Sequence, residues 1–301
     1  MQGLRLGTRG SPLALAQARK VAAAIETSQR WPDGWVQIVE IATTGDKVRD
    51  RPLAEIGGKG LWTKELDRAL AEGLTDMSVH SMKDVETVRP RTLHVAAMLP
   101  RADVRDRLIG AESLEALPEG ARVGTSSPRR TAQLLARRPD LTIVPLRGNV
   151  ETRLRKIQLG EADATLLASA GLERLGHAEG VVLDDFLPAP SQGAIGIEVR
   201  ADDRRTRARV QAIDDSATHV CVAAERRLLE RLGGTCHSAV AALAQLDRGR
   251  IRLRAELLSP DGREVQSGEI AFTAAEKDRP AELAAELLGR ASPALRALFG
   301  R

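Results

Sequence analysis

Residues 4–17 read LRLGTRGSPLALAQ, and residues 122–135 read RVGTSSPRRTAQLL. Each begins with a short apolar run expected to be a strand and turns at Gly-Thr. Each then enters a helix with Ser as its N-cap (Ser11, Ser127) and Pro at its first helical position. A strand that ends at a helix N-terminus gathers free N–H groups and the positive end of the helix dipole in one place, which attracts anions. The same device used twice suggests two similar α/β domains with a ligand in the cleft between them.

Working outward, further strands are expected at 35–43, 76–79 and 93–99, with an amphipathic helix over 61–73. This alternation predicts a mostly parallel α/β sheet. After the second device come LTIVPL (141–146), a basic helix within RGNVETRLRKIQLG (147–160), and a strand and helix in ADATLLASAGLERLG (162–176). The segment LPAPSQGAIGIEVR (187–200) has turn residues and then an apolar strand, expected to run back into the first domain. From Ser216 the texture changes. A long helix ending at Gly233-Gly234 precedes strands at 240–246, 251–259 and 264–272, with Pro-Asp-Gly as a hairpin turn, and a closing helix follows over 279–298. This predicts a C-terminal α+β domain.

The 301 residues suffice for two or three domains. No run of 18 apolar residues suggests a membrane span, and MQGLRLGTRGSP does not read as a targeting segment, so a soluble cytoplasmic protein is expected. Two cysteines, Cys221 and Cys236, build no disulfide framework. Three Trp, three Phe and no Tyr argue against modules that stack bases on aromatic platforms. The net charge of +4 still tolerates an anionic partner. Arg outnumbers Lys 38 to 7, and coding bias explains most of that excess, so position must decide.

Eight arginines lie between 122 and 155 against two acids, Asp140 and Glu151. Arg129 and Arg130 stand in the first turn of a helix, where cations oppose the dipole unless an anion faces them. With Arg147 and Arg153, which also flank loop–helix junctions, they are candidates for carboxylate or phosphate binding. Lys59 lies in GGKG, which lacks Walker A spacing, so nucleoside triphosphate binding is not expected. The histidines and cysteines show no metal-ligand spacing, so no metal is expected. In VHSMKD (79–84), Asp84 reads either as a helix-start carboxylate or as the lone acid of a basic cleft, kept ionised by neighbouring cations and able to accept protons. Cys221 reads as a core residue. Cys236 follows Gly-Gly-Thr in a loop, and spacing leaves open whether its thiol is functional.

Together TRGSPLALAQA, GGKGLWTKEL, VHSMKD, VGTSSPRR, LRGNVETRL, SAGLERLG, PAPSQGAIGIE and GGTCHS, in this order, give a chain that resembles the porphobilinogen deaminase (hydroxymethylbilane synthase) family over almost its whole length. The resemblance implies two domains like type II periplasmic binding proteins plus a C-terminal α+β domain with a three-stranded antiparallel sheet. It places these at 1–95 with 194–214, 96–193 and 215–301. It implies a transferase that joins four porphobilinogen units head to tail, releasing ammonia each time, and frees hydroxymethylbilane. The primer is a dipyrromethane cofactor held by a thioether to Cys236. Asp84 matches the catalytic aspartate. Arg9, Ser11, Lys83, Ser127, Arg129, Arg130, Arg147, Arg153, Arg174 and Gln192 match cofactor- and substrate-binding positions, while Lys59 and Trp62 match a mobile loop. His80 is expected to shape the site. A monomer is implied, with no nucleic acid, membrane or metal.

The chain departs from the family pattern at Trp62, Glu86, Pro128 and Ala239, and none of these removes a reacting group. Two other readings compete. A non-catalytic anion-binding protein would have no need of Cys236, and a nucleic-acid binder would show steeply salt-dependent affinity.

Overall fold

The computed structural model describes residues 3–43, 63–235 and 238–299. Lys59, Trp62 and Cys236 lie outside the described residues. Among the described residues no helix is long and apolar enough to cross a membrane.

The chain forms two compact units, one of residues 1–102 and 193–219, the other of residues 103–192 and 220–301. In the first unit β1 (Leu4–Thr8), β2 (Val36–Glu40) and β3 (Met77–Ser81) run parallel. β4 (Leu93–Met98) and the later strand Ile195–Arg200 complete a five-stranded sheet in which the late strand lies between β3 and β4, antiparallel to both. Of the segment 187–200 it is the strand Ile195–Arg200 that joins the first sheet, and it makes the sheet mixed. The helix α1 (Pro12–Gln29) covers one face, burying Ala18, Val21 and Ile25 against Leu6, Val79 and Ile197. Ser11 caps α1 as expected, its Oγ accepting from Ala14 N at 3.3 Å. Residues 96–98, expected in the second domain, belong to the first sheet because β4 runs on to Met98. The division falls after Ala102 rather than after residue 95.

The second unit repeats the plan. β5 (Asp106–Ile109), β6 (Arg122–Gly124), β7 (Thr142–Val144), β8 (Ala164–Ala168) and β9 (Val181–Leu183) form a sheet in the order β7-β6-β8-β5-β9. Here β6, β7 and β8 are parallel, and β5 lies antiparallel between β8 and β9. Each sheet thus has three parallel strands, an inserted antiparallel strand and an outer strand. The strands β5 and β9 had no counterpart in the sequence reading, since each is only a few residues long. Ser127 caps the helix Pro128–Arg137, accepting from Arg130 N at 3.4 Å.

The C-terminal strands Val240–Asp247, Arg250–Leu258 and Val265–Phe272 form the expected three-stranded antiparallel sheet. The helices Ser216–Arg231 and Arg279–Arg290 pack on it around Leu228, Leu253, Phe272 and Leu287. Cys221 is buried in this core, as expected. This sheet belongs to the same compact unit as the second sheet, joined through Gln133 Nε2 to Glu256 Oε2 (2.9 Å) and a small apolar cluster of Ala132, Ala239 and Leu258. Ala239, one of the departures from the family pattern, is thus a packed residue.

Candidate active site

β3 ends at Ser81, and the chain tightens into a 3-10 turn, Met82–Asp84, that carries Lys83 and Asp84. The turn is anchored from below. Met82 is fully buried, and its N–H donates to Ala194 O at 3.1 Å. A Cβ on Gly196 would fall 2.1 Å from Met82 Sδ, so glycine at that position leaves the turn its place. Asp84, half-buried, borders a pocket with Arg9, Ser11, Gln17 and Ser81. The first anion-seeking device and VHSMKD therefore meet at one spot.

Gln17 is buried and paired with Ser81, its Nε2 2.8 Å from Ser81 Oγ, tying α1 to the end of β3 beside Asp84. The sequence reading passed over it. A lone amide on the apolar face of a helix was the available signal.

Behind the turn lies a buried charged cluster. Glu198, fully buried on the strand Ile195–Arg200, receives the fork of Arg89, Nε to Oε1 and Nη2 to Oε2, both at 2.8 Å. His80 Nε2 lies 3.1 Å from Glu198 Oε2, in ion-pair range but without hydrogen-bond alignment. Burial works to raise the Glu198 pKa, yet His80 and Arg89 together hold it at about 2. His80, Glu198 and Asp67 stand close enough to be considered as metal ligands. The Arg89 guanidinium, which also binds Asp67 at 2.6 Å, already supplies a cation to both carboxylates.

In the second unit the arginines divide. Arg129 and Arg130 are buried and face Asp106, itself fully buried on β5. Arg129 Nη2 reaches Asp106 Oδ2 at 2.7 Å, and Arg130 Nη2 reaches Oδ1 at 2.8 Å. Burial works to raise the Asp106 pKa, but the two guanidiniums hold it far below the usual carboxylate range. Burial likewise lowers the Arg129 pKa, and Asp106 opposes that shift only in part. The anion demanded opposite this first helical turn is thus supplied by the chain itself. The count of acids between 122 and 155 missed it because sheet pairing brings Asp106 in from an earlier strand. A second carboxylate, Glu256, also acts on Arg129 and is joined to it through Gln133. Gln192, expected among the binding residues, donates its amide to Asp106 Oδ1 at 2.9 Å and to Val104 O at 2.7 Å, so its described contacts support the framework.

Asparagine at 106 would leave two buried guanidiniums without their countercharge, a loss of about 3–5 kcal/mol of stability. Because the folded pKa lies below the unfolded value of about 3.9, this contribution is complete above that value and drains away as pH falls below it. Asp106→Asn is therefore expected to lower the midpoint of thermal unfolding at pH 7 and to flatten its decline below about pH 4. An unchanged midpoint at pH 7 would contradict this role.

Arg147, Arg153 and Arg174 differ from that pair. Arg147 Nη1 is buried and has no hydrogen-bond partner among the described residues. Burial pushes the Arg174 pKa down to about 10, with Glu173 offsetting only part of the effect. A bound anion would relieve both. Arg153, in the helix Val150–Gln158, folds its Nε back onto Gly148 O at 2.9 Å. A cofactor assembled from two units that each carry two carboxylates suits this donor set, because it brings several anionic groups to half-buried guanidiniums.

Comparison with known proteins agrees with this chemistry. Residues 4–208 match the family model "Porphobilinogen deaminase, dipyromethane cofactor binding domain", and residues 219–290 match "Porphobilinogen deaminase, C-terminal domain". The porphobilinogen deaminase of Sphingopyxis alaskensis is 54% identical over 305 residues, spanning 98% of this chain and 96% of its own. That of Paracoccus denitrificans is 50% identical over 295 residues, spanning 96% and 94%. Among solved structures, a nutrient binding protein from Burkholderia cenocepacia bound to methionine covers 76% of this chain and 95% of its own, with a TM-score of 0.43 and 15% identity. With two family models spanning most of its length and relatives at half identity or better, the chain belongs to the porphobilinogen deaminase family.

Proposed function

We propose that the protein is a hydroxymethylbilane synthase, a transferase that joins four porphobilinogen molecules head to tail, releases one ammonia for each, and frees the linear tetrapyrrole. The observation that carries this reading is Asp84, set on an anchored turn beside Arg9 and Ser11 in a chain whose family match runs from residue 4 to 290. Dipyrromethane, when bound, supplies the pyrrole end on which the product is built, and Cys236 is its proposed thioether attachment.

The chain's own residues do the rest. Arg9, Ser11 and Lys83 bind carboxylates beside Asp84, with Ser11 close to the free amides of the α1 N-terminus. In the second unit Ser127, Arg147, Arg153 and Arg174 hold further carboxylates, and Arg129 and Arg130, held by Asp106, add positive charge to the same unit. Partial burial strengthens such contacts, since a guanidinium partly withdrawn from water gains more from a carboxylate than a fully exposed one does. Asp84 accepts a hydrogen bond from the pyrrole N–H of porphobilinogen. Its negative charge stabilises the cationic character that develops as ammonia departs, and the carboxylate then takes the proton released when the ring joins. We further propose that the protein acts as a cytoplasmic monomer.

The test is a stoichiometry. Purified protein given porphobilinogen should release one ammonia per molecule consumed and yield one linear tetrapyrrole per four. Binding of porphobilinogen without ammonia release would instead favour the anion-binding reading.

A further inference from the structure

Asp84 sits on a very small element. The turn Met82–Asp84 is three residues long, with Val85 N donating to Met82 O at 3.3 Å, and the next strand begins at Leu93. Contacts beyond the turn also hold the chain that leaves Asp84.

That hold is an ionic cluster two to five residues downstream. Glu86 accepts from Thr63 Oγ1 at 2.9 and 2.8 Å through its two oxygens, and from Arg89 Nη1 at 2.7 Å. Arg89 spends the rest of its fork on Glu198 and Asp67. Thr63 is the N-cap of the helix Lys64–Ala71, yet it makes no side-chain capping bond because its hydroxyl goes to Glu86. Glu198 also lies 3.1 Å from His80 Nε2 on β3, four residues before Asp84. The cluster therefore grips the chain on both sides of the turn and fastens it to the strand Ile195–Arg200 and to a helix.

An exposed ion pair would carry little weight here, but the Arg89 side chain is only 10% exposed and Glu198 is fully buried. Three carboxylates around one buried guanidinium are a poor choice for stability alone, because apolar residues could fill the same space without desolvating charge. Fork geometry gives direction instead. Misplacing a reacting group by about 1 Å can cost about a hundredfold in rate.

We propose that Glu86 and Arg89 are positioning residues for Asp84, an inference that rests on the reading of Asp84 given above. The test uses the cofactor-loaded protein with Glu86→Ala, Glu86→Gln and Arg89→Lys. Glu86→Ala should lower kcat about tenfold or more while KM stays within about twofold. Glu86→Gln keeps an acceptor for Thr63 and should recover part of the loss. Hydrogen exchange gives a readout independent of turnover, with faster exchange expected at the Val85 amide in Glu86→Ala and no change in the helix Pro12–Gln29. If Glu86→Ala does not fold, Glu86→Gln and Arg89→Lys decide by the same two measurements. A kcat within twofold of wild type, or exchange at Val85 unaltered, would overturn the proposal. Wild-type protein that fails to turn over porphobilinogen would sink the functional reading instead, and the exchange result would still judge the positioning role.

Discussion

Replacing Asp84 with asparagine is expected to lower turnover at least about a hundredfold while the protein stays folded and still acquires its cofactor. Asparagine preserves the size of the side chain and can still accept a hydrogen bond, but it has no negative charge and cannot take a proton. The effect should therefore fall on kcat rather than on KM. Folding should survive because the buried ion pairs around the turn run through Arg89, Glu198 and Asp67, and Asp84 itself is only half-buried. Rapid-quench turnover and circular dichroism on the same preparation check both halves. Near-normal turnover would remove Asp84 from the chemistry.

Replacing Cys236 with serine should have a still larger effect. A serine oxygen is a far weaker nucleophile than a thiolate, so the covalent primer should not form and turnover should be lost altogether. The protein should have the mass of its bare chain. The fold should persist in the C-terminal core, where Leu228, Leu253 and Leu287 are fully buried. The described residues on either side of Cys236 form a local frame, with Thr235 N donating to Ser238 Oγ at 3.1 Å and Ser238 N to Thr235 O at 3.0 Å. Full activity in the serine variant would show that attachment lies elsewhere.

What the sequence made legible was local. β1, the Ser11 cap and α1 follow from consecutive residues, as do Ser127 and its helix, and the three C-terminal strands declare themselves through their patterns and the Pro-Asp-Gly turn. The return of 187–200 to the first sheet could also be read, because an apolar strand after a turn must find a partner. What escaped was non-local. Asp106 and Glu198 are each a lone acid in a buried strand, and nothing near them in sequence reveals the arginines that justify their burial. Arg129 and Arg130 were accordingly read as candidates for carboxylate or phosphate binding, with no sign of Asp106 as their partner. Glu86 stood out only as a departure from the family pattern, and three-dimensional contact gives it a task, fastening Thr63 and Arg89 to the chain that leaves Asp84. The division between the units moved from residue 95 to residue 102 for the same reason, since the strand that claims Met98 arrives from a hundred residues downstream.

The most direct test of the account is intact-mass spectrometry of the wild-type protein before and during reaction with porphobilinogen. The account predicts a resting mass above that of the bare chain by one dipyrromethane, then a ladder of equal pyrrole increments that resets to the resting mass as product leaves. A protein that forms the tetrapyrrole while its mass remains that of the bare 301-residue chain would contradict it.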